Sequence, residues 1–240
     1  INVPPGAGKT TVLHDFAAWA TARDRAIRGC FFGHSLGIAA RSSNRLRKTL
    51  ERVAPIRANA DLMELGLEVH AEATLAMDYG VFKPGSRSDM WRADQFNVVQ
   101  ADGIFSDEKE PTWSAFGFDG GYLGNRLNIG LADDLEMKKY LGNPDVIQAR
   151  REQYEDEMET RIEPGGLFAL VGQRLHREDL YGYALSMGIK TLDDDGDYDI
   201  DEHTINEEPQ KYVHIKFQAH YDEKCAGLKG PHHATTAVPY

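Results

Sequence analysis

Small residues, a lysine and two threonines stand together at residues 3–11. Residues 3–10 read VPPGAGKT, and a second threonine follows. Small residues let successive backbone N–H groups wrap around phosphates, a lysine reaches the β and γ oxygens, and a hydroxyl binds Mg²⁺ at a helix start. The segment therefore predicts a phosphate-binding loop (P-loop, or Walker A motif) for ATP and Mg²⁺, with valine in place of its first glycine. Its binding residues would be Pro5, Gly6, Ala7, Gly8, Lys9, Thr10 and Thr11, with Thr10 also on the metal.

Two adjacent aspartates end an apolar segment, LNIGLADD, at residues 127–134. Such a segment predicts a buried strand with a Walker B pair at its carboxyl end, and the carboxyl ends of parallel strands meet beside a phosphate loop. We expect Asp133 to hold Mg²⁺, directly or through water, and Asp134 to orient or deprotonate an attacking water. A pair of aspartates that merely caps a turn is the alternative.

The elements that must position these residues alternate between helices and strands. Apolar periodicity predicts helices at residues 10–26, 36–53, 144–160 and 177–188, and a short helix near 60–65. Strands are predicted at 30–35, within 91–118, at 127–132, at 167–173 after a PGG turn, and at 212–220. This alternation predicts an α/β fold, a P-loop NTPase core whose mainly parallel central sheet is covered by helices on both faces.

Composition narrows the class of protein. In 240 residues, 41% are hydrophobic and 10% aromatic, which excludes disordered, collagen-like and coiled-coil chains. The net charge of −11 means that any contact with nucleic acid needs a local basic patch. The two cysteines are too few for a disulfide framework, and the sequence contains no leader and no apolar run of membrane-spanning length. We expect a protein of a reducing, cytosolic setting.

Two charged segments stand outside these motifs. The predicted helix at 36–53 carries a basic stripe, which faces DNA phosphates, an acidic neighbouring surface or plain solvent: Arg41, Arg45, Lys48 and Arg52. An acidic loop at 191–209 aligns with a calcium-binding EF-hand loop at Asp193, Asp195, Gly196 and Glu202, but its first ligand position is Thr191. A solvated acidic loop is therefore favoured.

The order of these motifs resembles that of the large terminase subunits of tailed bacteriophages, the ATPases that pump DNA into a procapsid. The resemblance is carried by PPGAGKTT, FFGHSLGIAARSSNRLRKTLE, WRADQFNV, EPTWSAFGFDGGYLGNRLNIGLADDL, RIEPGGLFALVGQRLHREDLYGYAL and KYVHIKFQAH, which cover most of residues 1–220. The phosphate loop is the most specific of these pieces, and the order of the others adds to it.

This resemblance implies a Mg²⁺-dependent ATPase that drives double-stranded DNA into a procapsid. Residues 1–220 would form the ATPase domain, and residues 221–240 a linker toward a nuclease domain that these residues do not contain. Because Ile1 lies almost directly before the phosphate loop, we expect a further N-terminal part. The implied partners are double-stranded DNA, a homo-oligomeric ring, the portal protein and the small terminase subunit, with no membrane, on a procapsid in the host cytoplasm.

Roles are predicted for four further residues, and those of Gln173, Arg126 and Arg92 follow from the resemblance. Gln173 would sense the γ-phosphate and couple hydrolysis to motion, with a solvent-exposed strand end as the alternative. Arg126 is the first candidate for an arginine that completes a neighbouring subunit's site, and Arg92 is the second; either is otherwise an ordinary surface arginine. Arg174 would either pair with Asp179 or contact nucleotide.

The sequence departs from the family pattern at defined positions. Its loop has no arginine, Gln173 replaces a usual threonine, and Asp134 stands where many members have glutamate. Two other functions therefore stay open. One is a helicase or remodelling P-loop ATPase, and the other is a nucleotide-gated scaffold without turnover.

Overall fold

The computed structural model describes residues 8–53, 74–85, 90–100, 110–118 and 124–186, and the backbone of three short strands at 189–192, 198–199 and 212–214. The α-helices within these ranges are α1 Lys9–Arg23, α2 Leu36–Glu51, α3 Leu75–Tyr79, α4 Pro144–Gln153 and α5 Leu180–Ser186. The strands are β1 Gly29–Gly33, β2 Gln95–Phe96, β3 Trp113–Gly117, β4 Leu127–Asp133, β5 Ile162–Val171, β6 Ile189–Leu192, β7 Tyr198–Asp199 and β8 Tyr212–His214.

The central sheet has five strands in the order β2-β3-β1-β4-β5. Strand β1 pairs in parallel with β3 and β4, β4 pairs in parallel with β5, and only β2 runs antiparallel, against β3. The predicted mainly parallel sheet is confirmed. Because β1, β4 and β5 run in the same direction, their carboxyl ends lie at one edge of the sheet.

Two hydrophobic clusters show that both faces of this sheet are covered. Along β1, Phe31 packs on one face with Leu13 of α1 and Leu46 of α2. On the other face, Phe32 packs with Leu180 of α5 and with a π-helical turn, Tyr154–Met158, that continues α4. Alternate side chains of one strand therefore enter separate cores, as expected for a doubly covered sheet.

The buried face of α1 differs from the predicted one. The apolar residues whose helical spacing predicts this helix include Val12 and Trp19, but 63% and 53% of their surfaces are exposed. The helix instead packs through Leu13, Ala17 and Ala20, at helical spacing. Two of these three core-facing side chains are alanines, while the bulkier Val12 and Trp19 turn outward.

The apolar stripe that the sequence predicts for α2 is confirmed except at its last residue, Val53, and the basic stripe is confirmed in full. Its buried positions are Ala39, Ser43, Leu46 and Leu50. The predicted basic stripe of Arg41, Arg45, Lys48 and Arg52 is fully on the exposed side. Val53, expected on the apolar face, is 61% exposed because the helix ends at Glu51.

Three predictions about the second half of the chain are wrong. The PGG segment at 164–166 is not a turn but part of β5, which adapts through a left-handed Gly165 at φ 84° and a register shift against β4. Strand β8 pairs with β6 in a separate three-stranded sheet instead of closing the main one. The segment 191–209 is not loop throughout, because β6 contains Thr191 and β7 contains Asp199.

Other predicted features are shorter than expected or lie outside the described residues. The helix predicted at 144–160 is α-helical only to Gln153, after which the π-helical turn and a 3-10 turn, Glu159–Arg161, follow. The short helix near 60–65 and the acidic positions aligned with calcium ligands fall outside the described ranges. No helix in the described part of the chain is both long and apolar enough to cross a membrane.

Candidate nucleotide-binding site

The site begins where α1 begins. Gly8 precedes the helix in a left-handed conformation, at φ 79° and ψ 12°, which a side chain would strain. Lys9 and Thr10 are the first residues of the helix. The backbone N–H groups of a first helical turn have no partners within the helix and attract anions. Local backbone geometry therefore places a lysine and a hydroxyl at an anion-binding helix end.

Two side-chain contacts join this helix end to the carboxyl end of β4. The Thr10 hydroxyl donates to Asp133 Oδ2 at 2.6 Å, across 123 residues of sequence. The Lys9 ammonium donates to Asp134 Oδ1, also at 2.6 Å. The predicted juxtaposition of the lysine, the hydroxyl and both acids is thus present.

The Asp133 carboxylate is held in a setting that suits a cation. Its second oxygen, Oδ1, is buried without a hydrogen-bond partner. Burial raises the pKa of Asp133, while the hydrogen bond from Thr10 opposes this rise. A buried oxygen without a partner, beside a threonine hydroxyl, is a donor set of the hard type that Mg²⁺ prefers.

The described residues contain no cluster of three or more histidine, cysteine or acidic side chains that could hold a metal alone. Mg²⁺ in nucleotide sites takes few protein ligands and completes its octahedron with phosphate oxygens and water. Asp133 and Thr10 therefore fit Mg²⁺ bound together with a nucleotide, and do not fit a metal held by protein alone.

Asp134 starts a tight segment that we call the acid turn, residues 134–136. The aspartate itself lies in the left-handed region at φ 46°. Its peptide N–H donates to Val171 O at 3.0 Å, which extends the pairing of β4 with β5 by one residue. Arg150 of α4 supports the turn from below, because its guanidinium donates to Leu135 O at 2.7 Å and lies 3.7 Å from Glu136 Oε1.

A cavity of about 440 Å³ opens at this edge of the sheet. It brings together Lys9, Asp134 and Gln173, three residues that the sequence predicted to act together. Gln173 is exposed and lies two residues beyond the end of β5. The other lining residues are His34, Glu136, Met137 and Leu175.

Sequence reasoning missed His34 and Glu136. The His34 Nδ1 lies 3.2 Å from the backbone oxygen of Asp134. A carbonyl only accepts, so Nδ1 carries the proton in this contact. The available signal was position, since His34 directly follows β1 and so had to lie at the same sheet edge as the acids. Glu136 lay only two residues beyond Asp134, and its side chain is 4% exposed.

The candidate arginines lie elsewhere. Arg126 directly precedes β4, so it is at the opposite edge of the sheet from Asp133, roughly 20 Å away along the strand. Its side chain is exposed, and its backbone N–H donates to Glu110. Arg92 pairs with Asp94 at 3.2 Å. Neither arginine lines the cavity of its own chain. If either contributes to hydrolysis, it would therefore do so at the site of a neighbouring subunit.

Of the remaining predicted positions, two are described by the structure and three are not. Arg174 Nε lies 4.0 Å from Asp179 Oδ1, which agrees with the first of its two predicted alternatives. Thr11 is exposed on α1, and Pro5, Gly6 and Ala7 lie outside the described residues.

Comparison with known proteins adds nothing to this geometry. No protein-family model matches the chain, and no curated protein sequence matches it. A functional conclusion must therefore depend on the site and on the order of the sequence motifs.

Proposed function

We propose that this chain is a Mg²⁺-dependent ATPase of the P-loop type, the motor domain of a viral terminase large subunit. The observation that carries the proposal is the pair of contacts from Thr10 to Asp133 and from Lys9 to Asp134. These four side chains come from a helix start and a strand end, and each has the chemistry that phosphoryl transfer needs at that place.

Lys9 would bind the β and γ phosphate oxygens of ATP. To do so its ammonium must exchange the Asp134 carboxylate, 2.6 Å away, for phosphate. The Lys9 side chain is 13% exposed, so its charge is strongly felt by either partner. The exchange frees Asp134, whose side chain is 51% exposed, to face an attacking water.

Asp134 would orient that water and take its proton as the oxygen attacks the γ phosphorus in line with the leaving ADP. Asp133 and Thr10 would hold Mg²⁺, which when bound neutralises charge on the phosphate oxygens. Gln173, which lines the same cavity, can donate to phosphate and accept from water, so it would respond to loss of the γ phosphate.

The assignment to a DNA-packaging motor rests on the order of motifs in the sequence. The exposed basic stripe of α2 supports it, because Arg41, Arg45, Lys48 and Arg52 take part in no ion pair within the described part of the chain. A local stripe can face DNA phosphates even though the net charge is −11. We propose a homo-oligomeric ring on the portal of a procapsid in the host cytoplasm, with the small terminase subunit as a partner.

Phosphate release from ATP by the purified chain tests the enzymatic part. We expect Mg²⁺-dependent release that is abolished in Lys9→Ala, because the ammonium neutralises charge that grows in the transition state. Lys83→Ala is the matched control, since Lys83 is also a lysine in an ion pair, with Glu51, away from the site. Release that survives in Lys9→Ala would remove the phosphate-loop assignment, and absence of release from the unaltered chain would favour the scaffold without turnover.

A further inference from the structure

Beyond the last paired residues of the central sheet, β4 and β5 separate. Their pairing ends with Asp133 opposite Val171 and with the bond from the Asp134 N–H to Val171 O. From this fork one branch leads to Asp134 and the acid turn, and the other leads through Gly172 to Gln173. Both branches line the cavity, so the width of the fork sets the distance between two groups that face the nucleotide site.

One side chain occupies the fork. The Tyr181 hydroxyl accepts a hydrogen bond from the Leu135 N–H at 3.0 Å and donates one to Val171 O at 3.2 Å. It thus continues the β4–β5 pairing by one step through a side chain, where the two backbones have already separated. Tyr181 is 8% exposed, and burial raises the pKa of its phenol, so the hydroxyl stays protonated and keeps both bonds.

Gly172 lies against the Tyr181 hydroxyl and has no side chain to obstruct it. A β-carbon on Gly172 would overlap the Tyr181 hydroxyl. Glycine directly after β5 therefore makes room for a phenol from α5.

The same helix holds the acid turn at a second point. The Leu180 N–H donates to Glu136 Oε1 at 3.2 Å, next to the ion pair of Glu136 with Arg150. The acid turn is thereby attached to α5 at both Leu135 and Glu136, while its first residue, Asp134, points its carboxylate at Lys9.

We propose that Tyr181 is a positioning residue for nucleotide hydrolysis, which fixes the spacing between Asp134 and Gln173 from the fork of β4 and β5. The role rests on the proposed ATPase function. Tyr181 is not among the residues that line the cavity; it acts through the Leu135 and Val171 backbones. A small error in the position of the acid that holds the water lowers the rate of the chemical step without lowering affinity for the substrate.

The test compares Tyr181→Phe with Tyr183→Phe. Both remove one hydroxyl from α5, but the Tyr183 hydroxyl bonds Glu155, away from the cavity. Steady-state ATP hydrolysis, binding of a non-hydrolysable ATP analogue and thermal unfolding are measured for each, and rates are expressed per analogue-binding site. We expect Tyr181→Phe to lower kcat at least ~10-fold with KM and analogue affinity within about twofold of the unaltered chain, and Tyr183→Phe to leave kcat within about twofold.

A second variant keeps the tyrosine and displaces it. Gly172→Ala should lower kcat as Tyr181→Phe does, and the double variant should lose little more than the worse single variant, because both changes break one contact. Three results would each overturn the positioning role. The losses of kcat in the two single variants could multiply in the double variant, or kcat could be unchanged in Tyr181→Phe. Alternatively, kcat, analogue binding and thermal stability could fall together. If the unaltered chain itself releases no phosphate, the proposed function fails and this role fails with it; failure of the role alone leaves the unaltered chain active.

Discussion

The Lys9 ammonium and the Asp134 carboxylate lie 2.6 Å apart and neutralise each other at the mouth of the cavity. A lysine that binds phosphate and an acid that holds water must part before either can act. In the proposed mechanism, Asp134 competes with the ATP phosphates for Lys9, and Lys9 competes with the attacking water for Asp134. Substitutions at the two positions should therefore affect nucleotide binding and hydrolysis differently.

Asp134→Asn should separate binding from chemistry. The amide keeps the shape but not the charge, so Lys9 meets a weaker competitor and ATP should bind at least as tightly as to the unaltered chain. Hydrolysis should fall by ~10²-fold or more, because an amide orients a water but cannot take its proton. Equilibrium binding of a non-hydrolysable analogue and single-turnover hydrolysis measure the two effects. ATP binding that weakens in step with hydrolysis would contradict the role assigned to Asp134.

Asp133→Asn should impair nucleotide binding as well as hydrolysis. This substitution removes the charge beside the Thr10 hydroxyl and leaves Lys9 paired with Asp134. Nucleotide binding should lose its dependence on Mg²⁺, and hydrolysis should fall with it. Analogue binding measured over a Mg²⁺ titration gives the result. The role as a metal ligand would be untenable if the Mg²⁺ dependence were the same as in the unaltered chain.

Mixing experiments test the arginine across a subunit boundary. Because Arg126 lies at the sheet edge opposite Asp133, it can serve hydrolysis only in a neighbouring subunit. Arg126→Ala and Asp134→Asn chains should each be nearly inactive, and activity should return on mixing, since some interfaces then pair an intact Arg126 with an intact Asp134. Normal activity of Arg126→Ala by itself would make it a surface residue and move the hypothesis to Arg92.

His14 should make the fold sensitive to acid. Burial, with help from nearby Arg45 and against the effect of Asp15, lowers the pKa of His14 to about 4 from 6.5. Between these values the unfolded chain takes up a proton that the folded chain does not, so the free energy of unfolding falls as pH falls from about 6.5 to about 4. Full loss of this contribution amounts to about 3 kcal/mol.

His14→Leu removes that group, and its free energy of unfolding should decline less over this pH range than that of the unaltered chain. Urea unfolding at a series of pH values measures the difference. His176→Leu is the control, because it removes a histidine that is exposed instead of buried. Parallel curves for His14→Leu and the unaltered chain would show that folding does not change the pKa of His14, against the lowered value.

The sequence could predict those site residues whose place follows from a general rule about where helix starts and strand ends meet. Thr10 and Asp133 could be paired in advance because a helix start after a glycine loop and the end of a parallel strand meet at one sheet edge. No such rule places Tyr181, whose contact depends on how α5 packs over the end of β5. The PGG segment misled for a related reason: proline and glycine predict a turn locally, whereas pairing with β4 kept the chain extended.

The conformation of Asp134 bears on how this position can evolve. Its φ of 46° is one that aspartate and asparagine adopt more readily than residues with longer side chains. A single base change converts an aspartate codon into a glutamate codon, yet the longer side chain adopts this backbone less readily. A lineage with this acid turn is therefore held to aspartate, and could exchange it for glutamate only after the turn itself had been rebuilt.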